Sequence, residues 1–371
     1  MPVTGAIHQF TPTLEPSAVG FHSLEVQRLI RELLGRPSEI FAGWVGETLA
    51  SRGRPYLDYG TAVAARPGDV LIYQMAVGSV VADFVAGRSE TLVVNHHNLT
   101  PARFLTTWEP GAADAVTWGR RQLGELAGRT ELAIADSAFN ETELVDAGYR
   151  RTAVVPVLVD LEAMGEAGDA VTDRRLAAAK SDGGADWLFV GRVSPNKCQH
   201  QVVKAFAVYR RVYDPRARLW LVGGSSSSLY WAALERFVAA LGLGGAVTLT
   251  GSVPQRVLVS HYRHADALVC LSEHEGFCVP LVEAMWHRVP IVALGAAAVP
   301  ETLGGAGVVL PFRGERQPAP AVVAAAVHRV VSDGSVRDAL VACGASRVEM
   351  FSLERTRRLF ADRLRRLEEQ G

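Results

Sequence analysis

Cysteine is scarce in this sequence. Four cysteines occur among 371 residues, they form no CxxC pair, and all of them fall in the second half of the chain: Cys198, Cys270, Cys278 and Cys343. This usage is typical of reduced cysteines in the interior of a cytosolic protein, whereas a disulfide framework would need more cysteines at closer spacing. We therefore expect a cytoplasmic protein.

A surplus of charge of one sign is also missing. The chain has 38 lysines and arginines against 39 aspartates and glutamates, so its formal net charge is -1. Proteins that bind nucleic acids normally carry a basic surplus. The composition therefore predicts no nucleic-acid partner.

Long hydrophobic runs are absent too. The opening MPVTGAIHQF lacks the basic segment and apolar run of a signal peptide, and uncharged stretches such as APAVVAAAV are too short to span a bilayer. The last segment, LERTRRLFADRLRRLEEQ, combines six arginines with Leu353, Phe360, Leu364 and Leu367 at helical spacing. This pattern favours a terminal helix whose apolar side docks on the protein. Peripheral contact with the inner face of the membrane is the alternative.

Several nucleotide-binding and metal-binding motifs do not occur. There is no GxxxxGK[ST] loop, LVGGSSSS lacks the third glycine of a dinucleotide-binding turn, and no DxD-like acidic pair follows a strand in a metal-binding context. HExxH is absent, and His261 and His264 have no companion ligands at useful spacing. We expect no metal and no cofactor.

Short apolar runs alternate with amphipathic stretches along the whole chain. The predicted strands are AIHQF, VLIYQM, TLVVNHH, LAIADS and TAVVPVLV in the first half, and WLFVG, ARLWLVGG, AVTLTGS, ALVCLS, PIVAL and GVVLP in the second. The predicted helices between them include VGFHSLEVQRLIRELL, AVTWGRRQLGELA, QHQVVKAFAVYRRVY, WAALERFVAALGL and VPLVEAMWH. Alternation of strand and helix predicts an α/β protein with parallel sheets. Its length suits two domains, with a break in the charged residues 158–187.

In open parallel sheets, ligands bind beyond the carboxyl ends of the strands, so the loops after strands are the candidate sites. SEHEGFCVPLVEAMW follows one such strand and contains Glu275 in a loop and Glu283 one turn inside a helix. The backbone N–H groups of Gly276, Phe277 and Cys278 would surround the helix start, where an anion is favoured. This stretch suits a ligand with hydroxyls at both ends and a phosphate between them. Two solvated surface glutamates are the alternative.

Two further loops contain candidate binding residues. WLFVGRVSPNKCQHQ places Arg192 and Lys197 between a strand and a helix, which suits a diphosphate, although two ordinary surface cations would give the same pattern. NHHNLTP places His96 and His97 at the end of another strand, where neighbouring side chains point to opposite faces. One histidine could donate a hydrogen bond to a substrate, or it could be a structural residue.

Together these motifs resemble the retaining family-4 glycosyltransferases. EGFCVPLVEAM reproduces their E-x7-E pattern and VGRVSPNK is similar to their donor-phosphate loop, while LVGG, LTGSV, VPETLGG and ADSAFNETEL match in order. The resemblance covers most of the chain and implies the GT-B fold, in which two Rossmann-like domains with parallel sheets face each other across a cleft. It implies an acceptor-side domain at 1–160, a nucleotide-sugar domain at 161–350 and a terminal helix at 351–371 that returns to the first domain.

The resemblance also implies a role for each candidate residue. Glu275 would accept hydrogen bonds from hydroxyls of the donor sugar, near the N–H groups of the next residues in its loop, and Glu283 would bind the ribose. Arg192 and Lys197 would neutralise the diphosphate leaving group. His97 would contact the sugar near its anomeric carbon. Gly20 would let the first loop approach the phosphates, although this chain has VGFH where many relatives carry a double glycine.

The activity implied is metal-independent transfer of a hexose from a nucleoside diphosphate sugar to an acceptor hydroxyl, with retention at the anomeric carbon. HHNLTP, YQMAVGS and ADSAFN are similar to bacterial mannosyltransferases of surface polysaccharide synthesis, which implies GDP-mannose as the donor. A sugar phosphorylase, a nucleotide-sugar epimerase and a non-catalytic sugar-nucleotide binding protein are alternatives. The acceptor could be a carbohydrate, a lipid-linked sugar or a small aglycone. Phe104, Trp108 and Trp118 could stack on it or fill a core.

Overall fold

The chain divides into two compact units in a computed structural model that describes residues 5–165, 167–314 and 316–368. The first unit comprises Met1–Arg103, Gly111–Val159 and Phe351–Gly371, and the second comprises Phe104–Pro110 and Asp160–Met350. The last three residues of the predicted terminal segment, 369–371, lie outside the described residues. Each unit contains one sheet.

The sheet of the first unit has seven parallel strands. They are β1 (Ile7–Leu14), β2 (Ile40–Val45), β3 (Arg54–Pro55), β4 (Val70–Met75), β5 (Thr91–His96), β6 (Thr130–Ala135) and β7 (Thr152–Val154). Their order across the sheet is β3-β2-β1-β4-β5-β6-β7, so the direction of strand progression reverses between β1 and β4. A reversal of this kind is where open α/β sheets bind ligands.

The sheet of the second unit has six parallel strands. They are β8 (Asp186–Val190), β9 (Arg218–Val222), β10 (Val247–Gly251), β11 (Ala267–Cys270), β12 (Ile291–Leu294) and β13 (Val308–Leu310). The order is β10-β9-β8-β11-β12-β13, and the reversal lies between β8 and β11. Every predicted strand segment contains a strand of the structure, although TAVVPVLV is a strand only over Thr152–Val154. The candidate loops of the second half follow the two strands at the reversal.

Thirteen α-helices occur among the described residues. They are α1 (Ala18–Leu33), α2 (Val80–Ala86), α3 (Pro110–Ala127), α4 (Ala138–Asp146), α5 (Ala170–Lys180), α6 (Gln199–Val212), α7 (Ser228–Ala240), α8 (Gln255–His264), α9 (Val279–Trp286), α10 (Val299–Leu303), α11 (Pro320–Ser332), α12 (Gly334–Val348) and α13 (Leu353–Glu368). None of the described helices is long and apolar enough to cross a bilayer.

Both faces of the first sheet are covered by apolar side chains. Along β4, Leu71 and Tyr73 belong to one hydrophobic cluster, while Val70 and Ile72 belong to another. This follows from the alternation of side chains along a strand, and it explains why VLIYQM is apolar at every position except Gln74. The second sheet is covered in part by α6 and α11, which pack against each other beside it.

The terminal helix α13 packs against the first unit. Phe360 and Leu364 are buried in the same cluster as Val26 and Ile30 of α1. The apolar side of this amphipathic segment is therefore buried against the first unit. Arg365 is exposed and pairs with Asp362 on the same helix at 2.8 Å, whereas Arg357 pairs with Glu32 of α1.

Candidate functional site

Two loops after neighbouring strands form the candidate site of the second unit. Residues 191–198 connect β8 to α6, and residues 271–278 connect β11 to α9. Because β8 and β11 pair in parallel, both loops leave the same edge of the sheet, at the reversal of strand order. The sequence alone already indicated both loops, but it did not show that they are adjacent.

Asn196 joins the two loops. Its backbone carbonyl accepts a hydrogen bond from the N–H of Glu273 at 2.9 Å, and its side-chain amide donates to the carbonyl of His274 at 3.2 Å. Ser194 in turn donates to the Asn196 side chain at 2.9 Å. Since Ser194 and Asn196 are both buried, these bonds fix the separation of the loops.

Lys197 and Glu275 form an ion pair across the loops. Lys197 Nζ lies 2.6 Å from Glu275 Oε2, and the two side chains are 21% and 9% exposed. Burial alone would lower the pKa of Lys197, but the attraction and hydrogen bond of Glu275, together with the nearby Cys278 and Cys270, raise the pKa above its usual value. The ammonium therefore stays charged, and the pair places one cation and one carboxylate side by side.

Backbone contacts anchor the rest of the Glu275 loop. The carbonyl of Glu275 accepts from the N–H of Ala298 at 3.2 Å, and the carbonyl of Phe277 accepts from the hydroxyl of Thr302 at 2.6 Å. Cys278 adopts the left-handed conformation with a φ of 70° directly before α9. The N–H groups of Phe277 and Cys278 thus lie at the start of this helix, as the sequence predicted.

Glu283 lies one turn inside α9 and pairs with a tyrosine. The hydroxyl of Tyr262 on α8 donates to Glu283 Oε2 at 2.7 Å. Burial raises the pKa of Glu283 to about 7, and the hydrogen bond from Tyr262 limits the rise. The carboxyl group can therefore change its charge near neutral pH, which a solvated surface glutamate would not do.

Arg192 lies at the start of the first loop with an exposed side chain. Its carbonyl accepts from the side-chain amide of Gln199 at 2.9 Å, which holds the loop against the first turn of α6. Seven residues predicted for the donor site lie in the second unit: Arg192, Lys197, Glu275, Gly276, Phe277, Cys278 and Glu283.

His97 lies in the first unit, at the end of β5, and its side chain is 1% exposed. Its Nδ1 is 2.9 Å from a carboxylate oxygen of Asp136, and its Nε2 is 2.7 Å from the amide oxygen of Gln74. The neighbouring His22 is fully buried, and burial keeps its pKa well below the usual range. The imidazole of His97 is therefore held in one orientation by a buried polar network.

Gly20 is the third residue of α1, also in the first unit. Its N–H donates to the hydroxyl of Ser17, which caps the helix at 3.1 Å. A Cβ at this position would lie 1.9 Å from the carbonyl oxygen of Glu15. Glycine is therefore required here by the close approach of the chain before α1.

Sequence reasoning missed Glu109. This glutamate is buried and belongs to the second unit, where it accepts hydrogen bonds from Ser194 in the candidate loop and from Ser226. The adjacent Trp108 packs edge-to-face on Tyr230, with ring centroids 5.4 Å apart, so it serves the core. No signal in TTWEPG marks the partners of Glu109, because they lie more than 80 positions away. Tyr262 and Asp136 were missed for the same reason.

Three side chains in the second loop and at the end of β11 could hold a metal ion. Among the described residues, Cys270, Glu275 and Cys278 are the one group of three whose ligand atoms lie within 4.8 Å of one another, and all three are buried. The thiols of Cys270 and Cys278 are in contact, which lowers the pKa of Cys270 and raises that of Cys278. The prediction of no metal site did not consider these cysteines, because their spacing has no CxxC motif.

Part of the chain matches a known protein family. Residues 173–341 match the family described as "Glycosyl transferases group 1". The D-inositol 3-phosphate glycosyltransferase of Geodermatophilus obscurus is 32% identical over 250 residues, which cover 64% of this chain and 53% of the relative. The GDP-mannose:cellobiosyl-diphosphopolyprenol alpha-mannosyltransferase of Xanthomonas campestris is 37% identical over 103 residues, which cover 28% of this chain and 26% of the relative. The chain thus spans about half the length of the first relative and a quarter of the second.

A solved structure extends the likeness to the whole chain. The sucrose-phosphate synthase of Thermosynechococcus elongatus aligns with a TM-score of 0.78 at 16% identity, over 99% of this chain and 100% of that one. At this identity the likeness concerns the fold. With the two parallel sheets, it confirms the predicted α/β fold class of GT-B type.

Proposed function

Because residues 173–341 match the glycosyl transferases group 1 family, we propose that this protein is a retaining glycosyltransferase. It moves a hexose from a nucleoside diphosphate sugar to an acceptor hydroxyl and needs no metal for the transfer. The observation that carries the proposal is the pairing of Lys197 with Glu275 across the two loops at the strand reversal. A cation for phosphates and an acceptor for sugar hydroxyls meet there.

Each end of the proposed donor has suitable partners. Arg192 is exposed and carries a planar group that can grip two phosphate oxygens, and Lys197 keeps its positive charge. These cations would stabilise the negative charge that grows on the leaving diphosphate. Glu275 would accept hydrogen bonds from the sugar, and Glu283 would accept them from the ribose. The start of α9, with Gly276, Phe277 and Cys278, favours an anion.

The first unit would supply His97 as a donor to the sugar and Gly20 near the phosphates. The bond of His97 Nδ1 to Asp136 supports a fixed orientation of the ring, and in this role Nε2 would exchange Gln74 for a hydroxyl of the sugar. We assign the first unit to the acceptor and the second to the donor. In the proposed mechanism, the diphosphate leaves and the acceptor hydroxyl attacks on the same face of the sugar. An oxygen of the donor phosphate assists deprotonation of that hydroxyl.

The name of the Xanthomonas relative supports GDP-mannose as the donor, since that protein is a GDP-mannose enzyme. Its acceptor is a lipid-linked sugar, and the first relative acts on an inositol phosphate. A lipid-linked acceptor would bring the protein into peripheral contact with a membrane. We propose mannose as the transferred sugar and leave the acceptor class to experiment.

The first test is thermal shift of the purified protein with GDP, UDP, ADP and dTDP and their common sugar conjugates. A ligand that binds only the folded state raises Tm, so the correct nucleotide should raise Tm selectively. Stabilisation by GDP and GDP-mannose supports the mannosyltransferase proposal, whereas selective stabilisation by UDP would replace the donor. Absence of any shift at millimolar ligand would contradict the donor site.

Turnover then separates the alternatives. The selected sugar nucleotide is incubated with carbohydrate, lipid-linked and small aglycone acceptors, and the anomeric configuration of the product is determined by NMR. Formation of a sugar phosphate when orthophosphate is added would indicate a phosphorylase, and an epimerised nucleotide without acceptor would indicate an epimerase. Nucleotide binding without turnover on any acceptor would favour a non-catalytic binding protein.

A further inference from the structure

The thiol groups of two cysteines at the proposed donor site have no part in the function described so far. Cys270 ends β11 and Cys278 precedes α9, and their sulfur atoms are 3.8 Å apart. Both thiols are buried, and a carboxylate oxygen of Glu275 lies within 4.8 Å of each. Sugar, ribose and phosphate binding need no thiol at this place.

The separation of the sulfur atoms fits tetrahedral coordination. Two sulfur ligands at about 2.3 Å from a tetrahedral zinc ion lie about 3.8 Å from each other. The distance between Cys270 and Cys278 is therefore already that of two ligands of one ion. Glu275 would supply the third ligand, because its carboxylate has two oxygens and only Oε2 contacts Lys197 at 2.6 Å.

Charge balance permits a divalent cation to occupy this buried site. Without an ion, the two thiols are neutral and the charges of Lys197 and Glu275 cancel. With a divalent cation bound, two thiolates and one carboxylate carry three negative charges, and the ion and Lys197 carry three positive charges. Exchange of two thiol protons for one divalent cation thus leaves the net charge of the cluster at zero, which avoids the cost of burying a charge.

The backbone at Cys278 supports a role for its side chain. Its φ of 70° lies in the left-handed region, where any residue with a Cβ is disfavoured and glycine is accommodated at no cost. A cysteine at this position gains no backbone stability over glycine. What a cysteine offers here that a glycine does not is its thiol, which lies 3.8 Å from the sulfur of Cys270.

We propose that Cys270, Cys278 and Glu275 bind one thiophilic divalent cation, such as Zn²⁺, and that the bound cation blocks the sugar end of the donor site. Two S–H bonds release their protons to solvent and two metal–sulfur bonds form, with no change of oxidation state. The blocking effect rests on the proposed role of Glu275, since a carboxylate that ligates the ion cannot accept sugar hydroxyls. The binding of the cation does not depend on that role.

Cobalt titration tests the binding. The untagged full chain, reduced with a phosphine, is titrated with Co²⁺, whose thiolate complexes absorb in the near ultraviolet. We expect a charge-transfer band that saturates at one equivalent and disappears when Zn²⁺ is added. Absence of the band in the wild-type protein would overturn the proposal without any variant.

Variants identify the ligands. Cys270→Ser and Cys278→Ser should each abolish the saturable band, and Glu275→Gln should weaken Co²⁺ binding at least tenfold. Cys343→Ser, which removes an exposed thiol on α12, is the matched control and should bind as the wild type does. Thermal melts confirm that each variant is folded. If the folded Cys270→Ser and Cys278→Ser variants keep the full charge-transfer band, the assignment of these two cysteines as ligands is wrong.

Donor affinity tests the blocking effect separately. Zn²⁺ should weaken binding of the sugar nucleotide at least tenfold in the wild type and leave the Cys270→Ser variant unaffected. Unchanged donor affinity in the zinc-loaded wild type would overturn the blocking effect. If Co²⁺ binds and no sugar nucleotide binds in either state, the donor hypothesis fails and the metal site stands.

Discussion

Lys197 Nζ lies 2.6 Å from Glu275 Oε2, and this contact joins the loops that follow β8 and β11. Each partner compensates for the desolvation of the other, because both side chains are largely withdrawn from solvent. The same contact holds a cation and a carboxylate at the reversal of strand order. It is therefore the feature on which both stability and the proposed chemistry depend.

Removal of the lysine should destabilise the protein. Lys197→Met leaves Glu275 in a buried place without its cation, and we expect the free energy of unfolding to fall by about 3 kcal/mol. Denaturant unfolding measures the change. Lys204→Met, at an exposed position on α6, is the matched control and should alter stability by less than about 0.5 kcal/mol. Similar small effects of the two substitutions would contradict the importance of the pair.

Glu283 should make stability depend on pH. Its pKa is about 7 in the folded protein against an ordinary 4.5, so the folded state holds the proton more firmly and unfolding releases it. The stability that this proton contributes is fully present below pH 4.5, declines as the pH rises, and is lost above pH 7. The total loss is up to about 3 kcal/mol.

Glu283→Gln should remove this dependence, because glutamine does not ionise. Thermal melts between pH 4.5 and 8 should show the variant becoming more stable relative to the wild type as the pH rises. Glu235→Gln, at an exposed position of α7, is the control and should follow the wild-type profile. Parallel profiles for wild type and Glu283→Gln would show that the Glu283 carboxyl is already ionised throughout this range.

Arg192 should act mainly on the rate. If it stabilises charge that develops on the diphosphate, Arg192→Ala should lower kcat by about 100-fold or more and change nucleotide affinity much less. Steady-state kinetics with the identified donor and a calorimetric Kd measure the two quantities. Arg211→Ala, which removes an exposed arginine on α6, is the control. Equal losses of kcat and affinity would assign Arg192 to ground-state binding instead.

Gly20 should tolerate no side chain. In Gly20→Ala the added Cβ would meet the carbonyl of Glu15 at 1.9 Å, so the start of α1 must shift, and we expect a loss of about 2 kcal/mol of stability. Gly124→Ala provides the contrast, because its Cβ would meet no atom within 4 Å and α3 would gain helix propensity of about 1 kcal/mol. Denaturant unfolding without ligand measures both. If Gly20→Ala leaves the stability unchanged, the fold does not require glycine at this position, and only ligand binding could require it.

Much of the fold could be predicted because the buried parallel strands are continuous apolar runs. The second strand was missed for a specific reason. In IFAGWV, Gly43 interrupts the apolar pattern, and the structure shows that a Cβ there would lie 2.8 Å from the carbonyl oxygen of Pro12 on β1. The strand β3, with two residues, is too short to show any period. A close approach between distant segments leaves no local mark in a sequence.

The candidate loops could be predicted because anion-binding residues next to a helix start have a local pattern. Their partners could not. Tyr262 lies 21 positions from Glu283, and Asn196 bonds to a carbonyl 78 positions away. The assignment of polar partners depends on which loops the sheet brings together, and the order of strands is a property of the whole unit. The pairing of Cys270 with Cys278 was missed because two cysteines eight positions apart match no common motif.

The placement of Phe104–Pro110 has an evolutionary consequence. This segment belongs to the second unit although the chain on both sides of it belongs to the first, so the chain passes between the units four times. Trp108 covers Tyr230, and Glu109 accepts hydrogen bonds from two serines of the second unit. A recombination event that transferred residues 160–350 as one genetic block would leave the side chains of Trp108 and Glu109 behind. Natural or engineered chimaeras should therefore succeed only when the short upstream segment is inherited together with its partners.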